Sequence, residues 1–145
     1  MKHVKIEYID PPYPIGRDMQ KSQQVVEQYV KGFLKLKPKK KTGYNIWCRG
    51  SSGAILSALF VAKLPEYNFM VAHIKKQRED SHNSYPMYSV DNENIVLDDF
   101  SASGATIEAI LKEMKVNKVT PNILILMYGI KGGWNTLFKV IISSD

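Results

Sequence analysis

The residues with the clearest chemistry lie in one run, Ile95-Val96-Leu97-Asp98-Asp99-Phe100-Ser101-Ala102-Ser103-Gly104-Ala105-Thr106. Aliphatic residues lead into two adjacent carboxylates. Small residues then lead into a segment whose Ile107, Ile110, Leu111 and Met114 repeat at helical spacing. Small residues let a ligand approach the backbone closely. The N–H groups at a helix start carry roughly +0.5 of a charge and favour an anion. The hydroxyls of Ser101, Ser103 and Thr106 add donors. A phosphate cradle beside two acids suits a sugar phosphate, with the anion in the cradle and the hydroxyls on Asp98 and Asp99. The same residues also suit plain helix capping, with Ser101 or Ser103 accepting from the first-turn N–H groups. The two readings are compatible.

The elements that must hold this run are legible on either side of it. Residues 1–15, with Pro11, Pro12 and Pro14 among Tyr8 and Tyr13, predict an extended arm. Val26, Tyr29, Val30 and Phe33 predict a helix from Asp18 to Leu36. A loop at Pro38 to Lys41 precedes a buried strand, Tyr44 to Cys48. Arg49-Gly50-Ser51-Ser52-Gly53 reads as a tight turn before an apolar helix, Ala54 to Leu64, that Pro65 ends. Further strands are predicted over Asn68 to Ile74, Asn94 to Leu97 and Asn122 to Tyr128, with a helix from Ala105 to Val116 before the last of these. The tail, Trp134 to Ile142, predicts a final strand. Continuous apolar strands alternating with helices imply an α/β fold: an open, mostly parallel sheet with helices on both faces. In such a sheet ligands bind beyond the carboxyl ends of the strands. Residues 75–93 break the rhythm with charge, Ser, Asn and Pro, and a connection that long is usually functional or mobile.

Composition narrows the classes. The 145 residues suit a single domain over 1–145, and 44% hydrophobic with 23% charged residues excludes disorder and fibre. No apolar run approaches the ~18–20 residues that cross a bilayer, so no membrane partner is expected. One cysteine, Cys48, excludes an internal disulfide and fits a reducing, cytoplasmic setting. Cys48 sits in an apolar strand and reads as a core residue. His3, His73 and His82 show no metal-ligand spacing with one another or with Cys48, so no zinc site is expected. Twenty basic against fourteen acidic residues give a net charge of +6, which suits a polyanion or a phosphate-rich small molecule. The basic run Lys37 to Lys41 has no nucleic-acid module around it and reads as a solvated face.

Residues 95–106 resemble the signature of the type I phosphoribosyltransferases: aliphatics, two acids, a hydrophobic residue, two variable positions, then a Ser/Thr-Gly-x-Thr-like turn. The resemblance extends over roughly residues 17–130. It implies that Asp98 and Asp99 face the ribose hydroxyls of phosphoribosyl pyrophosphate. It also implies that Ser101, Ala102, Ser103, Gly104, Ala105 and Thr106 surround the 5′-phosphate. Arg49-Gly50-Ser51-Ser52 is similar to the family's pyrophosphate loop; alone it reads more readily as an ordinary strand-to-helix turn, together with residues 95–106 it reads as that loop, and it lacks the P-loop order. The stretch 75–85 falls where the family has a flexible lid. Lys75 and Arg78 would then join the pyrophosphate site, and Lys76 would join Asp98 and Asp99 as a catalytic group. A solvated charged hairpin is the alternative there.

The resemblance further implies Mg²⁺ as cofactor, held mainly by substrate oxygens, with Asp98 and Asp99 reaching it only through the substrate. The implied partner is phosphoribosyl pyrophosphate with a nucleobase-like acceptor, and homodimers are common in the family. Residues 1–16 and 129–145 are expected to form a small hood, in which Lys131 and Trp134 would contact the acceptor; a core position is the alternative for Trp134. Ala102 departs from members that carry Asp there to handle a base proton. The expected function is therefore Mg²⁺-dependent phosphoribosyl transfer to a nucleobase or related acceptor. The alternatives are a non-catalytic nucleotide- or phosphoribosyl-binding protein and, from the basic face, a nucleic-acid-binding one.

Overall fold

The structure, a computed structural model, describes residues 2–76, 86–101, 103–129 and 133–144. Along the chain run β1 (Lys2–Lys5), α1 (Met19–Lys35), β2 (Gly43–Arg49), α2 (Gly50–Ala62), β3 (Asn68–Ile74), β4 (Glu93–Leu97), β5 (Phe100–Ser101), α3 (Ala105–Val116), β6 (Ile123–Ile125), β7 (Tyr128–Gly129), a 3-10 turn (Trp134–Thr136) and β8 (Val140–Ser143). Six strands form one sheet in the order β1-β8-β6-β4-β2-β3, and every pairing is parallel. The short β5 and β7 pair separately, also in parallel. The expected open α/β sheet is present.

The apolar stripe of α1 behaves as its spacing predicts. Val26, Tyr29 and Phe33 are fully buried, and the Asp18 side chain caps the helix by accepting from Lys21 N at 3.1 Å. α1 packs with α2 on one face of the sheet, in a core holding Phe33, Leu56, Phe60, Ile46 and Ile95. α3 covers the other face with Ile107, Ile110 and Met114 against Trp47, Val96 and Leu124. The chain leaves β2 through α2 toward β3, whereas β4 pairs on the opposite side of β2 and its chain moves outward to β6. Loops leaving β2 and β4 thus diverge, and such a divergence opens a crevice at the carboxyl ends. At the other end of β4, a closed amide network holds the strand in register. Asn94 Oδ1 accepts from Trp47 Nε1 at 2.9 Å and from Asn45 Nδ2 at 3.0 Å, and Asn45 Oδ1 accepts from Ser89 N at 2.9 Å.

Four details differ from the sequence reading. α2 starts at Gly50, so the expected turn over residues 50–53 is already helix. Gly50 makes this abrupt entry with φ +73°, a left-handed value that other residues rarely adopt. The strand expected over Asn122 to Tyr128 breaks after Ile125, because Met127 N is drawn to Asp99 O at 2.7 Å and residues 128–129 pair with β5 instead. The tail strand begins only at Val140, because Trp134–Thr136 winds into a 3-10 turn that Thr136 Oγ1 closes on Gly133 O at 2.7 Å. The two ends expected to form a hood divide. Residues 2–5 and 140–143 extend the main sheet, since Ile6 and Ile142 are apolar and Gly32 of α1 leaves room for both side chains. Near the cleft end, Ile9 N donates to Met127 Sδ at 3.4 Å and the Tyr8 ring meets Tyr128 edge-on.

Candidate active site

Asp98 and Asp99 leave β4 at its carboxyl end. Asp98 N donates to Ile125 O at 3.0 Å, so β6 holds the first acid in line with the sheet. The Tyr29 hydroxyl of α1 donates to Asp98 O at 2.6 Å and to Asp99 O at 3.2 Å. Both peptide carbonyls are satisfied from the α1 side. The side chains differ in surroundings: Asp98 is 5% exposed, whereas Asp99 is half-buried and its Oδ1 accepts from Phe100 N at 2.7 Å. Burial, and next the charge of Asp99, push the Asp98 carboxyl from 3.8 up to about 8; Lys76 acts in the opposite direction. At neutral pH Asp98 therefore keeps its proton and can donate a hydrogen bond to a ligand oxygen, which an ionised acid cannot do.

The loop after β2 comes to the same place. β2 and β3 pair along their whole length, up to Arg49 opposite Ile74, so Lys75 and Lys76 emerge beside Arg49 and Gly50. The Lys76 side chain occupies the space that a Cβ on Gly50 would need. His73 Nε2 lies 3.1 Å from Gly50 O. Arg49 and Ser52 are half-buried, and Ser51, Lys75 and Lys76 are exposed. The structure thus gathers Arg49 and Gly50, Lys76 and Asp98, from three places in the sequence, at the carboxyl ends of the neighbouring strands β2, β3 and β4. Arg78 lies outside the described residues.

The third loop opens α3. Gly104 caps the helix with φ +84°, and its carbonyl accepts from Glu108 N at 2.8 Å. Ser103 Oγ accepts from Ala105 N at 3.3 Å, so capping does occur. Ser103 and Ala105 are exposed and Thr106 is half-buried, whereas Ser101 is 5% exposed within β5. Ser101 thus presents no open hydroxyl. Ala102 and Lys131 lie outside the described residues. Trp134, at 8% exposure, packs into the α3-side core with its ring against Gly129, so its faces are covered and it offers little to stack on. Its large apolar ring joins the core cluster of Val96, Leu124 and Phe138, and that burial outweighs the single polar indole N–H.

Sequence reasoning passed over two groups. One is the Tyr29 hydroxyl, which the apolar stripe of α1 disguised as core. The other is an exposed aromatic edge: Phe100 follows the acids, pairs in register with Tyr128, and Tyr128 meets Tyr8 with ring centroids 6.4 Å apart. The signal for Phe100 was present, since a large exposed apolar side chain directly after two acids has no packing reason to be there. Cys48 lies fully buried beneath the site. Its thiol is pushed up to about 11 by burial, which makes it a core residue and not a nucleophile. Among the described residues, no three His, Cys, Asp or Glu side chains gather into a metal cage, and no helix is long and apolar enough to cross a membrane.

No protein-family model and no curated protein sequence matches the chain. Solved structures do match. An orotate phosphoribosyltransferase from Francisella tularensis is 10% identical with a TM-score of 0.64, covering 88% of this chain and 67% of that one. An adenine phosphoribosyltransferase is 15% identical with a TM-score of 0.62, covering 92% and 85%. The adenine phosphoribosyltransferase of Saccharomyces cerevisiae, solved with an imino-altritol bisphosphate and adenine, is 14% identical with a TM-score of 0.60, covering 86% and 83%. At such identities the likeness is one of fold, and the fold of this chain is that of the type I phosphoribosyltransferases.

Proposed function

We propose that the protein transfers the phosphoribosyl group of phosphoribosyl pyrophosphate to a planar nitrogen acceptor. The observation that carries this reading is the convergence of Asp98 and Asp99 with Arg49, Gly50 and Lys76 at the divergence between β4 and β2. The first group suits the sugar hydroxyls and the second suits a pyrophosphate. The small residues before α3 suit the 5′-phosphate. In the transfer, the bond from the anomeric carbon to the pyrophosphate oxygen breaks and its electron pair leaves with the pyrophosphate. The acceptor nitrogen forms the new bond and gives up its proton to solvent or to the leaving group. Arg49 and Lys76 offset the charge that grows on the leaving oxygens, and removing one well-aimed donor from such a site costs ~3–4 kcal/mol. Phe100 and Tyr128, 43% and 39% exposed beside the acids, suit the face of a planar acceptor.

Mg²⁺ would suit this chain as an ion borne mainly by substrate oxygens, beside the paired acids at the carboxyl end of β4. Asp98 and Asp99 would reach it through the ribose hydroxyls. When bound with the substrate, the ion would neutralise pyrophosphate charge. One feature favours a second reading, a protein that binds a phosphoribosyl ligand without consuming it: Ala102 stands where some members of the resembling family carry an acid for the acceptor proton. Incubation with phosphoribosyl pyrophosphate, Mg²⁺ and a panel of nucleobases tests both. Pyrophosphate release with a ribosylated product supports transfer. Binding without product from any acceptor supports the second reading, and the absence of both binding and product sinks both.

A further inference from the structure

We infer that the Tyr29 hydroxyl is a positioning group that aims the Asp98 and Asp99 carboxyls, an inference that rests on the transfer reading of the same site. Tyr29 lies in the middle of α1, fully buried, on the face it presents to the sheet. Its ring fills the core as any aromatic would. Its hydroxyl does something packing does not require: it meets two consecutive peptide carbonyls, Asp98 O at 2.6 Å and Asp99 O at 3.2 Å. In a regular strand successive peptide groups point to opposite sides. Here the strand has ended, and two neighbouring carbonyls converge on one hydroxyl. Asp99 O is also bonded to Met127 N at 2.7 Å, and Asp98 N to Ile125 O at 3.0 Å. Three elements, α1, β6 and the segment after it, therefore fix the orientation of both peptide planes. Turning a peptide plane turns the Cα–Cβ bond beside it, so releasing these carbonyls redirects both carboxyls together.

The phenol is suited to the task. Burial, reinforced by the nearby Asp99 and Asp98, pushes its pKa well above 10, so it stays a donor throughout the working range. It reaches no ligand itself, which separates its role from that of the acids. Aiming two carboxyls at once matters for a ligand with two adjacent hydroxyls, where both bonds must form in one geometry.

The test compares ribose 5-phosphate with inorganic pyrophosphate on full-length protein by calorimetry. Tyr29→Phe should weaken ribose 5-phosphate about tenfold and leave pyrophosphate within about twofold, because the Tyr29 hydroxyl bonds to the carbonyls of the two acids, whereas Arg49, Gly50 and Lys76 are placed by the ends of β2 and β3. Equal weakening of both ligands, or no weakening of either, overturns the inference, since a structural role would not distinguish them. Should Tyr29→Phe fold poorly, 4-fluorophenylalanine and 4-aminophenylalanine at position 29 replace it at nearly equal volume. The amino variant should keep ribose 5-phosphate affinity and the fluoro variant should lose it; equal affinities overturn the inference. Wild-type protein that does not bind ribose 5-phosphate sinks the transfer reading and this inference together, whereas binding that ignores position 29 sinks this inference alone.

Discussion

Asp98 and Asp99 are chain neighbours with opposite surroundings: the first is 5% exposed and its pKa is raised to about 8, while the second is half-buried and turns Oδ1 back to Phe100 N at 2.7 Å. One acid can donate and the other is arranged to accept. That asymmetry suits a vicinal diol, and it also sets how the ligand-free protein responds to pH.

A carboxyl whose pKa is raised on folding stabilises the protein fully only below its unfolded pKa, and the contribution fades as pH rises through the folded pKa. Ligand-free protein should therefore lose stability between about pH 4 and about pH 8 from this group. Asp98→Asn should flatten that slope and raise Tm at about pH 8 by roughly 3–6 °C. The same change should weaken ribose 5-phosphate by about two- to tenfold, the loss of a neutral hydrogen bond of ~0.5–1.5 kcal/mol. Melting curves across pH, paired with calorimetry, check both. A steeper slope, or a lower Tm at high pH, would contradict the burial of Asp98.

Gly50 combines φ +73° with a Lys76 side chain lying where a Cβ would stand. Gly50→Ala should cost ~1–3 kcal/mol in stability from backbone strain. It should also displace Lys76 and weaken pyrophosphate several-fold. Denaturant titration measures the first effect and ligand titration the second. An alanine variant as stable as wild type would mean that β2 does not pass into α2 as described.

Phe100 and Tyr128 are exposed partners in the β5–β7 pair, so truncating them removes little buried area. Phe100→Ala and Tyr128→Ala should change stability by less than ~1 kcal/mol. If the edge faces the acceptor, each should raise the KM of the acceptor several-fold and leave that of phosphoribosyl pyrophosphate nearly unchanged. Steady-state kinetics with the two substrates varied in turn separates these effects.

Cys48 is fully buried, with its thiol pushed up to about 11. A thiol-specific chromogenic reagent at neutral pH should leave native protein essentially unmodified and react promptly once denaturant unfolds it. Its reaction rate then reports global opening. Fast labelling of the native state, with loss of ligand binding, would place Cys48 at the open cleft.

Some of this molecule is written locally and could be read from the chain alone. Continuous apolar runs marked β2 and β4, because a strand covered on both faces must be apolar nearly throughout, and a looser one marked β3, which lies part-exposed at the sheet edge. The spacing of Val26, Tyr29 and Phe33 marked α1, and the order of acids, small residues and apolar stripe marked the passage from β4 into α3. These are properties of residue type and near-neighbour spacing. Tertiary structure decided the rest. The pairing of Arg49 with Ile74 brought Lys76 over Gly50, and the packing of α1 brought Tyr29 under two carbonyls some 70 residues on. The pull of Asp99 O on Met127 split the strand expected over 122–128, and room beside Gly32 drew both ends into the sheet. Burial of Asp98 belongs with these. A local pattern records which face of an element is apolar, but a pKa, a shared hydroxyl or a broken strand depends on which distant atoms arrive within a few ångströms, and only the closed sheet fixes that.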